Sequence, residues 1–154
     1  MITIIKKILI FFMPIELFEH LRFDLRSKLG RILSRSLKLN STNANYINLG
    51  SGNSYVNNFI NVDFFGNKMI DYGMDLRFPF KIESNSIDGI FSEHTFEHLS
   101  HLEVDNALSE CYRILKAEAK IRIIVPDLSI LIERYCSNDD EWFQKWHDLV
   151  LKDP

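Results

Sequence analysis

Apolar positions change their spacing near residue 45. Before it they recur at helical intervals. Phe18, Leu21, Leu25, Leu29 and Ile32 share one face, while Arg22, Arg26, Arg31, Arg35 and Lys38 fall mainly elsewhere. The spacing predicts an amphipathic helix from about Ile15 to Leu39. Asn40 to Asn45 reads NSTNAN, polar and rich in turn formers, and marks a linker. Beyond it, short apolar runs alternate with stops. Tyr46–Leu49 ends at Gly50-Ser51-Gly52. Ile60–Asp63, a short Met69–Asp71, Ile87–Phe91 and Ile121–Val125, stopped by Pro126, follow as four further predicted strands. Between the last two, Ser100 and Glu103 form an S-x-x-E capping box. Val104, Ala107, Leu108, Cys111 and Leu115 then line one helical face. A last helix is expected over Asp140 to Leu151, with Trp142, Trp146, Leu149 and Val150 on one face. Strands alternating with helices predict an α/β domain with a parallel sheet. The expected organisation is a basic arm (1–39), a linker (40–45) and a body (46–154).

Composition narrows the class. The chain has 154 residues, 46% of them hydrophobic, and a net charge of −3. That excludes general disorder, and six Gly with four Pro exclude a collagen-like chain. Cys111 and Cys136 alone make neither a disulfide framework nor a four-cysteine metal site, so a cytoplasmic setting is expected. Residues 2–15 read ITIIKKILIFFMPI. Lys6 and Lys7 interrupt the apolar run, and no small-residue cleavage site follows, so neither a membrane span nor a signal peptide is expected. Charge is uneven. Residues 1–39 carry a net +5 and residues 40–154 a net −8. The arm is therefore expected to pack on the body and solvate its other face, with a membrane-surface or acidic-partner helix as the alternative.

In parallel sheets ligands bind at the carboxyl ends of the strands. After the first strand comes Asn48-Leu49-Gly50-Ser51-Gly52-Asn53, where two glycines permit a sharp turn and a close approach to a ligand. After the second comes Asp63, a carboxylate able to accept from two ribose hydroxyls. Together they describe a nucleoside site. A nicotinamide site fits poorly, because Tyr55 stands where a third glycine belongs and Asp63 follows Gly50 by only thirteen residues.

Five blocks in order carry a resemblance: YINLGSG (46–52), NFINVDFF (58–65), DLRFPF (75–80), SIDGIFSEHTFEHL (86–99) and ECYRILKAEAKIRIIVPDL (110–128). Over about residues 46–135 the chain resembles the class I S-adenosylmethionine-dependent methyltransferases. It looks closest to a small group associated with cell-surface polysaccharide synthesis. The resemblance implies a Rossmann-like, mostly parallel sheet with helices on both faces. It implies S-adenosylmethionine as cofactor and a sugar, glycan or other small molecule as methyl acceptor.

Residue by residue, the resemblance places Asn48, Gly50, Ser51 and Gly52 at the methionine part of the cofactor. Asp63 falls on the ribose, and Asp75 and Leu76 beside the adenine, with Asp75 accepting from its amine. Ser92, Glu93 and His94 face the sulfonium and the acceptor, and Pro126 and Asp127 close the fifth strand on that side. For a hydroxyl acceptor His94 is the candidate base, since histidine titrates near neutral pH. Glu97 and His98 are weaker candidates. A metal shared by His94, Glu97, His98 and His101 is not expected, because the helix cap at Ser100 interrupts the row.

Two departures stand out. Lys116-Ala117-Glu118-Ala119-Lys120 replaces a Pro-Gly-Gly turn, which is expected to strain the entry to the fifth strand. The resembled fold also ends in a two-strand hairpin, and only five strands are counted here. The hairpin is therefore expected to be missing, with an open sheet edge that invites self-association or leaves the chain a non-catalytic remnant. No nucleic-acid partner is expected, because no aromatic platform accompanies the basic arm.

Overall fold

The computed structural model describes residues 15–40, 44–66 and 68–151. The 2–15 run up to Pro14, part of the linker and the last three residues lie outside them. The described elements are α1 (Ile15–Leu33), β1 (Tyr46–Leu49), β2 (Ile60–Asp63), β3 (Tyr72–Gly73), β4 (Ile87–Glu93), a 3-10 turn (Phe96–His98), α2 (His101–Ile114), β5 (Leu115–Ile124), α3 (Leu128–Cys136) and α4 (Asp140–Leu151). By compactness the chain divides into a unit ending at Ile124 and a second beginning at Val125.

The first unit holds a five-stranded sheet in the order β3-β2-β1-β4-β5, with every pairing parallel. β1 sits at the centre, paired on one side with β2 (Leu49↔Val62) and on the other with β4 (Ile47↔Ile90). Its position explains its sequence. Ile47 and Leu49 are fully buried, as are Val62 of β2 and Ile87 of β4. Each such side chain contributes roughly 1.5–3 kcal/mol relative to exposure. α2 adds Ala107, Cys111 and Ile114 to this core. Burial pushes the Cys111 thiol up to about 12, which leaves it an inert packing group. The result is an α/β, Rossmann-like fold: a parallel sheet with helices around it.

The strands at the sheet's ends depart from the sequence reading. The predicted third strand, Met69–Asp71, gives way to Tyr72–Gly73. Asp71 instead closes on Asn61, whose backbone N–H donates to its Oδ2 at 2.8 Å. Met69 stays 49% exposed. β5 begins at Leu115 rather than Ile121 and ends at Ile124 rather than Val125. Between Ile87↔Leu115 and Gly89↔Lys120 the register jumps, so the lysine-rich segment expected as a loop forms a bulge within β5. Glu118 in that bulge has φ +63°, the left-handed conformation a glycine would adopt without cost. Lys116 Nζ reaches Asp88 Oδ1 at 2.7 Å across the irregularity.

Two helical faces also differ. In α2 the capping box is present, with Ser100 N–H donating to Glu103 Oε2 at 2.8 Å. Leu108, expected on the buried face, is 38% exposed, and Ile114 takes a buried place instead. α1 ends at Leu33, not Leu39. Lys81 Nζ donates to the carbonyls of Arg31 and Ser34 at 2.6 and 2.8 Å, satisfying the helix end. The chain then runs on without helix, and Leu37 and Leu39 pack against the core.

In the second unit, Asp127 caps α3 by accepting from Ser129 N–H at 2.9 Å. α4 spans the predicted Asp140–Leu151, and its Trp142 and Trp146 rings stack at 6.3 Å.

Candidate functional site

A cleft of about 450 Å³ opens at the carboxyl ends of the first unit's strands. Gly50, Gly52, Asp63, Asp75, Leu76 and His94 line it, as the sequence predicts. Phe23, Phe64, Met74, Arg77, Thr95, Leu99 and Glu103 join them, together with His98, the weaker candidate.

The glycine turn follows β1 directly. Gly50 has φ +73° and Gly52 φ +54°. A Cβ on Gly50 would collide with the Thr95 side chain, so Thr95 fills the volume that glycine vacates. The Thr95 hydroxyl lies 3.0 Å from Glu93 O and 3.3 Å from Gly50 O, so it bridges the β4 exit to the β1 exit. Gly52 differs. Nothing lies within 4 Å of where its Cβ would be, so its backbone faces open space. Its N–H donates to Asp63 Oδ2 at 2.6 Å, and Phe64 N–H donates to Oδ1 at 2.5 Å. Those two backbone bonds orient the half-buried carboxylate. A carboxylate has about four acceptor positions, so Asp63 retains capacity for a diol.

Asp75 is held in another way. It is 4% exposed. Its Oδ1 accepts from Arg77 N–H and Nε at 3.1 and 3.0 Å. Its Oδ2 accepts from Arg77 Nη2 at 2.8 Å and from the Ser27 hydroxyl of α1. Burial would raise its pKa, but the hydrogen bonds from Arg77 and Ser27 outweigh it and hold the carboxyl below the usual range. Four donors fill about four acceptor positions. The role implied for Asp75, accepting from an adenine amine, is therefore already taken by Arg77 and Ser27.

α1 supplies part of the cleft wall, which the sequence reading did not place there. Phe23 stacks on Phe64 with ring centroids 4.2 Å apart and planes 7° apart. Arg77 lies over Phe23, 4.8 Å from the ring centre. Arg26 reaches the Phe65 carbonyl, and Arg31 covers the Phe78 ring at 3.4 Å. The helix thus does pack on the body, but through Phe23, Ser27 and its arginines rather than through its leucines. The FF of NFINVDFF was the signal for Phe64, and nothing in the local pattern pointed to Phe23.

Four predicted residues do not line the cleft. Asn48 is buried and donates to Ser54 O at 3.1 Å and Asn61 Oδ1 at 3.0 Å, tying β1 to β2 and the glycine loop. Ser92 is buried and donates to Leu49 O at 2.8 Å, tying β4 to β1. Glu93 is exposed at the end of β4. Ser51 is 6% exposed, and its Oγ has no hydrogen-bond partner among the described residues. Pro126 and Asp127 belong to the second unit.

His94 turns the chain at φ +51°, and its Nδ1 lies 3.1 Å from Glu97 Oε1. With the proton on Nδ1 donated to Glu97, Nε2 keeps its lone pair. His94, the 3-10 turn with Glu97 and His98, and α2 with His101 are three different backbone segments. Among the described residues, no group of three or more His, Cys, Asp or Glu is placed to hold a metal.

A parallel sheet, a glycine turn after β1 and an acid at the end of β2 that lines the cleft are the features expected of a nucleoside-binding α/β site. Residues 58–123, from the approach to β2 through most of β5, match a family model described as a methyltransferase domain. The match supports a methyltransferase, and domains of that family generally bind S-adenosylmethionine. No curated protein and no solved structure matches the chain significantly. No described helix is long and apolar enough to cross a membrane.

Proposed function

We propose that the chain is an S-adenosylmethionine-dependent methyltransferase acting on a sugar, glycan or other small-molecule acceptor. The observation that carries this reading is the pairing of Gly52 N–H with Asp63 Oδ2 at 2.6 Å, beside open space at Gly52. It leaves a half-exposed carboxylate beside a glycine whose missing side chain gives room for a nucleoside. The glycine turn and Asp63 fit the ribose side of the cofactor, whereas Asp75 does not fit the amine of its base. The glycan acceptor rests on the resemblance in the five blocks.

Bound S-adenosylmethionine would supply an activated methyl on a sulfonium, open to direct displacement by an acceptor held in line. The chain's own contribution is then positional. The Gly50–Gly52 backbone sets the approach, Asp63 fixes the sugar, and His94 with Glu97 behind it takes a hydroxyl proton at Nε2.

The second reading is a methyltransferase-like domain that binds cofactor or a partner and transfers nothing. The saturated Asp75 and the Phe23–Phe64 stack favour it, since both fill the base side of the cleft from within. Transfer of labelled methyl into a cell-envelope glycan extract separates the two. The enzyme reading expects incorporation that Asp63→Ala and His94→Ala abolish. Cofactor binding without incorporation supports the second reading.

A further inference from the structure

We propose that α1 docks on an anionic lipid surface through the face it turns away from the sheet. The helix has two opposed faces. Its inner face presents Phe23 to Phe64, buried Ser27 to Asp75, and Gly30 to Phe65, where even a Cβ would collide with the ring. Its outer face carries Leu21, Leu25, Leu29 and Ile32, spaced four, four and three residues apart and 51%, 57%, 48% and 67% exposed. The most apolar stripe of the helix is the one the body leaves uncovered. Hydropathy alone would have buried it, and Ser27 is buried in its place.

Charge says what covers the stripe. Arg22 and Lys28 flank it on either side, both exposed, with Arg22 also paired to Glu19 at 2.9 Å. Long cationic side chains beside an aliphatic stripe reach headgroups while the stripe enters the acyl boundary. The sequence directly before α1, ITIIKKILIFFMP, continues the same chemistry: aliphatic and aromatic, with two lysines and no acid until Glu16. The arm's net +5 and the remainder's −8 orient the molecule, since an anionic surface attracts the one and repels the other. A second copy fits less well, because stacking two stripes brings the flanking cations of each against those of the other.

Docking places Phe23, on the opposite side of the same helix, about one helix diameter, ~10 Å, from the lipid surface. On the methyltransferase reading, and resting on it, the acceptor is then one presented at a membrane surface.

The test is co-sedimentation of the full chain with vesicles of phosphatidylcholine alone and of phosphatidylcholine mixed with phosphatidylglycerol. A triple variant, Leu21→Gln, Leu25→Gln and Leu29→Gln, keeps good helix formers at exposed positions, so its melting curve is expected to match the parent. Expected is binding to the anionic vesicles alone, weakened by salt and reduced about tenfold or more in the triple variant. Binding of S-adenosylhomocysteine by that variant stays at the parent level, so loss of docking and loss of the cofactor site read out separately. Three results overturn the proposal: no sedimentation with anionic vesicles, equal sedimentation of parent and triple variant, or a dimer abolished by the triple variant with no vesicle binding.

Discussion

The end of β2 and the loop after β3 each bring a carboxylate to the same cleft, and the two are held in opposite ways. Asp63 is oriented by two backbone N–H groups, from Gly52 and Phe64, and keeps acceptor positions facing the opening. Asp75 is buried, paired in fork fashion with Arg77 and closed off by Ser27 from a helix 48 residues earlier in sequence. Two acids of the same type, one strand apart, thus divide the labour. One keeps acceptor positions open to the cleft, and the other fastens α1 to the sheet. Donor supply, not residue type, decides which carboxylate is free to bind.

The largest expected difference is in stability. Asp75→Ala leaves Arg77 without its carboxylate, and breaking such a buried pair costs about 3 kcal/mol. Asp63→Ala removes two backbone bonds at a half-open position where water replaces them, a loss of about 1 kcal/mol. Urea unfolding of both variants measures this, and equal losses would break the comparison.

The loop that positions Asp63 gives the next test. Gly50→Ala meets both a positive φ and the Thr95 side chain, an expected cost of about 2 kcal/mol. Gly52→Ala meets the φ penalty alone, about 1 kcal/mol. Adding Thr95→Ala to Gly50→Ala recovers part of the difference. No recovery in the double variant would mean that Thr95 is not what makes Gly50 obligatory.

Ser27→Ala opens one acceptor position on Asp75 and removes a bond between α1 and the sheet. About 1 kcal/mol is expected from the same unfolding curves.

Acid titration sharpens the contrast further. The pKa of Asp75 is lower folded than unfolded, so the unfolded chain binds more protons through that interval. Its stabilisation is complete above the unfolded carboxylate value of about 3.9. It is lost as pH falls from there through the depressed folded value. Urea midpoints followed downward from pH 5 should fall more steeply for the parent than for Asp75→Asn. Parallel profiles would mean that Asp75 is not ion-paired as described.

Much of the fold was legible because its signals are local. Ile47, Leu49 and Val62 form short runs cut by glycines or followed by an acid, and Ser100 with Glu103 announces α2 in four residues. The glycine turn, Asp63 and His94, which the structure brings to one cleft, stand out in the sequence for the same reason. What the sequence hid depends on distant partners. Asp75 reads as a ligand acid until Ser27 arrives from α1, and Asn48 and Ser92 read as site residues until the neighbouring strands take their hydrogen bonds. The leucines of α1 read as its buried face because hydropathy does not register a Phe23–Phe64 stack. Lys116–Lys120 reads as a loop until pairing with β4 draws it into a bulged strand.

The central claim, that Gly52 and Asp63 form the ribose side of a cofactor site, is tested most directly by calorimetric titration with S-adenosylhomocysteine. The full chain and Asp63→Ala are measured side by side, with folding checked by circular dichroism. The account predicts binding by the parent, weakened in Asp63→Ala by an order of magnitude or more, at least about 1.4 kcal/mol. No binding by the folded parent, or equal binding by the two, would contradict it.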